Sequence, residues 1–185
     1  MTMPAPHDVR SAEYVALRQT VKDRGTLRMA LVPLIFIGWA ACAIATAAII
    51  TVAISTLIPL LVLVAGFEAL FALHVNVERI GRYLQVFHEE ADGWEHAAMA
   101  FGERFPATAP DPLFIRLFIL TVSANFLPAA LGGDVPEVVL VGALHLAFIY
   151  RMRTAQAFAA RQRQEDLARF TAVRADARQG RPLAP

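Results

Sequence analysis

The chain has 185 residues, 57% of them hydrophobic and only 18% charged, against roughly 25% charged in a typical soluble domain. Its mean hydropathy of +0.49 excludes an ordinary soluble domain and places it in the membrane class. The formal net charge of +1 conceals an asymmetry, because all 17 Lys and Arg residues fall within Arg10–Arg28, Arg79–Arg116 and Arg151–Arg181. A single cysteine, Cys42, lies in an apolar run, which rules out an intrachain disulfide and a Cys-based zinc site. Arginine outnumbers lysine, with Lys22 the only lysine, and alanine is abundant; this composition matches a high-GC bacterial source.

Residues 1–28 read as a polar amphipathic segment. Met1–Pro6 is expected to fray, and a short helix is expected from Asp8, capped by Asp8 or Ser11, with Tyr14, Leu17 and Val21 on one face. This polar stretch is too long for the charged start of a cleavable signal peptide, and no convincing cleavage context follows, so the first apolar run is expected to stay in the protein.

No charged residue occurs from Met29 to Phe67, and apolar character persists to Val77. As one helix this stretch is about 73 Å long, more than twice a hydrocarbon core of about 30 Å, so it must fold back. The turn is expected at Ser55-Thr56, with Pro59 in the first turn of the next helix, where a missing N–H is harmless. The first hairpin, 29–77, then has spans near 29–53 and 57–77. Pro33 falls near the start of the first.

Residues 78–112 form the next segment. Apolar residues at Val77, Ile80, Leu84, Phe87, Ala91, Trp94, Ala98 and Phe101 recur in steps of three and four, the mark of a helix with one apolar seam. Taken literally, the pattern makes Leu57–Phe105 one helical track, with Gly93 its one weak point. Pro106, Pro110 and Pro112 end it in a stiff linker. The second hairpin, 113–153, has spans near 113–131 and 136–152. Gly132-Gly133 forms its turn, Asp134 and Glu137 have capping-box spacing, and Pro136 falls in the first turn. Residues 154–185 complete the chain as a basic helix running to about Arg178 before Gly180 and Pro182.

The fold class expected is all-α: a polytopic membrane protein, a four-span helical bundle with helices extending into the cytoplasm. The turns near Ser55 and Gly133 carry no Lys or Arg, so the positive-inside rule places both termini and residues 78–112 in the cytoplasm of a bacterial inner membrane.

Polar residues in the spans are the first candidate site. Counting about 1.5 Å per residue from the nearest charged boundary puts Glu68 about 15 Å deep and Asn125 about 13 Å deep. The same count puts His74 about 6 Å and His145 about 9 Å deep. Glu68 with Asn125, Ser123 and Thr46 forms one possible proton or ion site, since desolvation favours a neutral carboxyl until an ion arrives. His74 and His145 form a possible metal or haem pair. The competing reading is that these groups hydrogen-bond between helices and fix their packing.

On the water side, His88, Asp92 and His96 recur every four residues beside Glu89, Glu90 and Glu95. Two histidines and a carboxylate suit zinc or iron, although they match no known metalloprotease spacing and a solvated face also explains them. Glu78 and Arg82 have i, i+4 spacing, and Arg79, Arg82, Arg151 and Arg153 are placed to meet lipid phosphates. Leu167, Phe170 and Val173 are spaced to cover the apolar seam. The basic stretch Arg161–Arg178 is interrupted by Glu165, Asp166 and Asp176, and no nucleic-acid partner is expected.

The chain contains no nucleophile elbow, P-loop, dinucleotide fingerprint or zinc-finger spacing, and no cofactor is strongly implied. The expected function is that of a small non-enzymatic subunit or scaffold of a membrane assembly. Its partners are the lipid bilayer and, through the Val77–Phe101 seam, a second copy or another membrane protein. The alternatives are an ion- or proton-coupled transporter or channel-like protein centred on Glu68, and a metal- or haem-dependent membrane enzyme.

Overall fold

The computed structural model describes residues 6–50, 52–105, 111 and 113–180. The described residues are all-helical, with about nine-tenths of them in helix and no strand among them. Among the described residues five α-helices follow in order: α1 (Pro6–Ile49), α2 (Leu57–Phe87), α3 (Trp94–Arg104), α4 (Ile115–Gly132) and α5 (Val135–Arg178). Four of them, α1, α2, α4 and α5, are long and apolar enough to cross a membrane. The expected short N-terminal helix is instead the beginning of α1, which is continuous from Pro6. The expected fraying of the first residues and the proline linker at Pro106, Pro110 and Pro112 lie outside the described residues, as does Pro182.

The turns form where local chemistry places them. Between α1 and α2 a single 3₁₀ turn spans Ala53–Thr56, and Pro59 falls in the first turn of α2. The first span thus loses its helical form at Ile49 rather than Ala53. Gly133 ends α4 in an extended conformation, and α5 begins at once and runs to Arg178. At the start of α4 the Asp111 carboxylate accepts the backbone N–H groups of Leu113 and Arg116, a direct answer to the unpaired donors of a helix start. Phe114, just before that helix, takes a left-handed conformation with φ 54°, a strained state for a residue with a side chain.

The chain divides into two compact units. The first, the apolar unit, comprises Leu27–His74 and Asp111–Phe158. Its core is organised on α2, whose Leu60, Leu63, Phe67, Leu70 and His74 are buried at steps of three and four. Phe67 meets Phe118 and Phe148 edge to face, with centroids 5.4 and 5.8 Å apart, the geometry ring quadrupoles favour. By contrast, Ile35 is the single buried residue among the described residues of α1.

The second, the polar unit, comprises Met1–Thr26, Val75–Pro110 and Ala159–Pro185. Here the single helical track expected over Leu57–Phe105 is broken. Helix α2 stops at Phe87, where the amides of His88 and Glu89 both bond to the Leu84 carbonyl. The next helix starts at Trp94, after Gly93 in an extended conformation. The Glu89 carboxylate accepts the backbone N–H of Glu95 and so satisfies one of the donors of the new helix. The seam divides with the helix. Leu84 is buried, whereas Ala91, Trp94, Ala98 and Phe101 are exposed. Of the three α5 residues expected to cover the seam, Phe170 packs its ring against Tyr83 and Phe87 at 5.7 and 6.4 Å, whereas Val173 is exposed.

Candidate functional site

Within the apolar unit the polar side chains of three helices converge on Asn125 of α4. Trp39 of α1 donates its indole N–H to Asn125 Oδ1 at 3.0 Å. Asn125 Nδ2 donates to the Thr56 carbonyl at 2.9 Å and lies 3.0 Å from His145 Nε2. His145 Nδ1 lies 2.8 Å from the Val141 carbonyl one turn earlier on α5. The proton positions follow by elimination. An indole N–H only donates and a carbonyl only accepts, so Trp39 and Thr56 orient the amide. The second Asn125 N–H then requires a bare Nε2 on His145, and the Val141 carbonyl independently requires the proton on Nδ1. Both constraints select the same neutral tautomer, and both N–H groups of the Asn125 amide are used.

Next to this network is a cavity of about 240 Å³ lined by Trp39, Ala43, Thr46, Ala47, Ser55, Thr56, Asn125, Pro128 and Gly132, among others. The lining contains no charged residue. Its chemistry is that of hydroxyl, amide and indole groups among apolar walls, which suits a small uncharged hydrogen-bonding molecule better than an ion.

The other polar groups expected in the membrane go elsewhere. Depth pairs Glu68 with Asn125, but the structure pairs Glu68 with Arg151, 2.8 Å away. The Arg151 guanidinium also covers the Phe71 ring at 4.9 Å. His74 is buried and its Nδ1 lies 3.4 Å from Arg28 Nη1, so the two histidines of the supposed metal or haem pair belong to different networks. Ser123 is exposed and bonds its own helix at the Ile119 carbonyl, and Thr46 bonds back to Cys42 and Ala43. Of the expected intramembrane group, Asn125 and His145 are the pair brought into contact.

In the polar unit the expected lipid-facing arginines divide as well. Arg82 is 5% exposed and is bound by Gln85 at 2.7 Å, Met99 Sδ at 2.9 Å and Glu95 at 3.2 Å. It is a buried member of a charge cluster and not a headgroup contact. Arg18 completes that cluster by bridging Glu89 and Glu95. Burial pulls against the Arg18 charge, yet the Tyr14 hydroxyl and the Glu95 carboxylate hold its pKa above the ordinary guanidinium value. Arg79 pairs with Asp166 at 3.1 Å, and Glu78, expected to pair with Arg82, pairs with Arg163 at 2.6 Å. Arg153 is exposed.

The i, i+4, i+8 line of His88, Asp92 and His96 disappears with the helix that would have carried it. His88 lies 3.6 Å from Glu13, Asp92 is exposed in the turn, and His96 bonds to the Gln85 side chain and carbonyl, both at 3.2 Å. Among the described residues no three His, Cys, Asp or Glu side chains are grouped to hold a metal ion. Tyr83 donates to Glu13 at 2.8 Å, and burial together with that carboxylate raises the phenol above its usual pKa.

No family model, no curated protein and no solved structure matches the chain. What the fold itself defines is a class: an all-helical protein with four helices of membrane-spanning length and composition. Trp39 and Arg28 are the partners that sequence reasoning missed. Both carried a signal, Trp39 as the one indole donor within the first apolar run and Arg28 as the last charge before it.

Proposed function

We propose that this chain is a non-enzymatic subunit or scaffold of a membrane assembly, resident in a bacterial inner membrane with both ends and the α3 region in the cytoplasm. The observation that carries this reading is the outer face of α3. Trp94, Ala98, Phe101 and Phe105 follow steps of four, three and four, and the three aromatic residues are 71%, 57% and 45% exposed. The opposite side of the helix, through Glu95, His96 and Met99, engages Arg82 and Gln85. A helix held on one side and aromatic on the other presents an anchor face of the kind that dominates protein interfaces. The pairing of Asn125 with His145 and of Glu68 with Arg151 also favours a structural role over a reactive one.

The test is a photo-crosslinking residue at Phe101, illuminated in cells. Discrete higher-mass adducts are expected, and they should be lost when Trp94 is replaced by Ser. A chain that gives no adduct at Phe101 or Trp94 while folded in the membrane contradicts the reading.

A second reading, ion or proton coupling through Glu68, draws support from the half-exposed position of its carboxylate. In reconstituted vesicles Glu68→Gln should then abolish a measurable proton flux; a flux that persists unchanged removes Glu68 from that role.

A further inference from the structure

The ion pair between Glu68 and Arg151 is in an unusual place. The stretch from Arg28 to the end of α1 at Ile49 rises about 32 Å, matching a hydrocarbon core of about 30 Å. Arg28 therefore marks one edge of that core, and its contact with His74 puts the same edge at His74 on α2. Glu68 is six residues earlier on α2, about 9 Å inside the core. Arg151 reaches that level to meet it at 2.8 Å instead of extending to the headgroups, as a long basic side chain near a helix end ordinarily does. Yet the two side chains remain 41% and 40% exposed. Where such a side chain faces hydrocarbon, any polar atom left uncovered has nothing to bond to.

The surface beside them is shaped for close contact. Leu61, Ala65, Ala69 and Ala72 are exposed along the outer face of α2, and Ala65-x-x-x-Ala69 is the small-residue spacing that lets two membrane helices approach. An exposed Phe158 ring lies against Phe71 at 6.0 Å and extends the patch. The patch holds one positive and one negative group, so it is complementary to itself. A two-fold axis through it brings Glu68 of one copy to Arg151 of the other and closes a balanced ring of four charges. A lipid phosphate fits less well, because Glu68 repels the anion that Arg151 attracts.

We propose that this face is where a second copy of the chain packs within the membrane, Glu68 and Arg151 exchanging contacts across a two-fold axis. The inference rests on the assembly reading above and names the partner and surface for its membrane-embedded part.

The experiment uses the full chain with Cys42→Ala and one introduced cysteine, reconstituted in vesicles at low protein-to-lipid ratio. Oxidation should convert Ala69→Cys to a disulfide dimer at least ten-fold more efficiently than Leu120→Cys, which lies on an exposed face of α4. With the reporter in place, Glu68→Arg alone or Arg151→Glu alone should abolish the dimer. The two variants mixed in one membrane should restore it as a heterodimer, since one then carries only positive and the other only negative charge at the ring. Helicity by circular dichroism reports whether the charge variants fold. Ala65→Phe, which adds bulk on an outward face, provides a second block that leaves the ion pair intact and should suppress the dimer of an Ala72→Cys reporter. Equal cross-linking at Ala69 and Leu120, or a dimer indifferent to both the charge reversals and Ala65→Phe, overturns the inference. A strict monomer that still forms α3 photo-adducts also overturns it while leaving the assembly reading standing; loss of both sinks the two together.

Discussion

Asn125 shows how one side chain fixes several others. Its amide takes the indole proton of Trp39 and gives its own protons to the Thr56 carbonyl and His145 Nε2. Replacing it by Leu takes that partner from the part-buried Trp39 N–H, the Thr56 carbonyl and the buried His145 Nε2, at a cost of roughly 1–3 kcal/mol for an unsatisfied buried group. Trp39→Phe removes a single interhelical bond and should cost less, about 0.6 to 2 kcal/mol. Unfolding of the purified protein in detergent, followed by circular dichroism, ranks the two. Should Asn125→Leu prove no worse than Trp39→Phe, the closed network is not what holds α4 against α1 and α5. Asn125→Asp is expected to resemble the Leu variant, because a carboxylate keeps the bond from Trp39 but has no proton for Thr56 or His145.

At the scale of the helix, α1 and α2 meet through a close approach. A Cβ on Gly66 would lie 2.6, 2.7 and 2.9 Å from three side-chain atoms of Ile35. Ile35 is β-branched and stiff at χ1, and it is the buried residue of α1, so it has little room to yield. Gly66→Ala should therefore destabilise the protein by about 1–3 kcal/mol, the usual penalty for overpacking. Gly25, on the same α1, has nothing within 4 Å of its would-be Cβ, and Gly25→Ala should stabilise by up to about 1 kcal/mol through helix propensity alone. Thermal unfolding of the two variants should move in opposite directions; a shared direction contradicts the close α1–α2 contact.

The same helices mark the boundary of what the residues reveal in advance. Turns were legible at Ser55-Thr56 and Gly133, and the end of α5 at Arg178, because proline, glycine and capping chemistry act within a few residues. Depth, a count along each axis, did not by itself choose partners: it set Glu68 beside Asn125, whereas Glu68 pairs with Arg151 and Asn125 with His145. Rotation about the axis was not legible. Almost every residue of α1 from Met29 onward is apolar, so no face of it declares itself, and nothing in the chain shows that Trp39 looks toward Asn125 or that Glu68 looks away from it toward Arg151. The break after Phe87 was hidden for a related reason: Ala91 and Trp94 continue the seam's spacing across a stretch that is not helical.

For the molecule as a whole, the proposed membrane orientation rests on charge placement. Arg28, Arg116, Arg151 and Arg153 bound the apolar stretches at one end, whereas the turns at Ala53–Thr56 and Gly133 carry no basic residue. In the proposed topology an even number of crossings returns both termini to one side, which the positive-inside rule assigns to the cytoplasm. In a Cys42→Ala background, Ser55→Cys and Asp134→Cys should each react with a membrane-impermeant maleimide on intact spheroplasts. Gln179→Cys should react only after permeabilisation. Labelling of Ser55 and Asp134 from opposite sides would mean that one of the four helices does not cross, and would remove the basis for a shared cytoplasmic end. The rule can also be pushed against itself. Ser55→Arg combined with Asp134→Arg places positive charge at both turns, and if the Arg28 and Arg151 clusters set the orientation, a fraction of the chains should invert and expose Gln179→Cys outside. An orientation that resists the added charge would show that the distribution of arginines is not what fixes how this protein sits in its membrane.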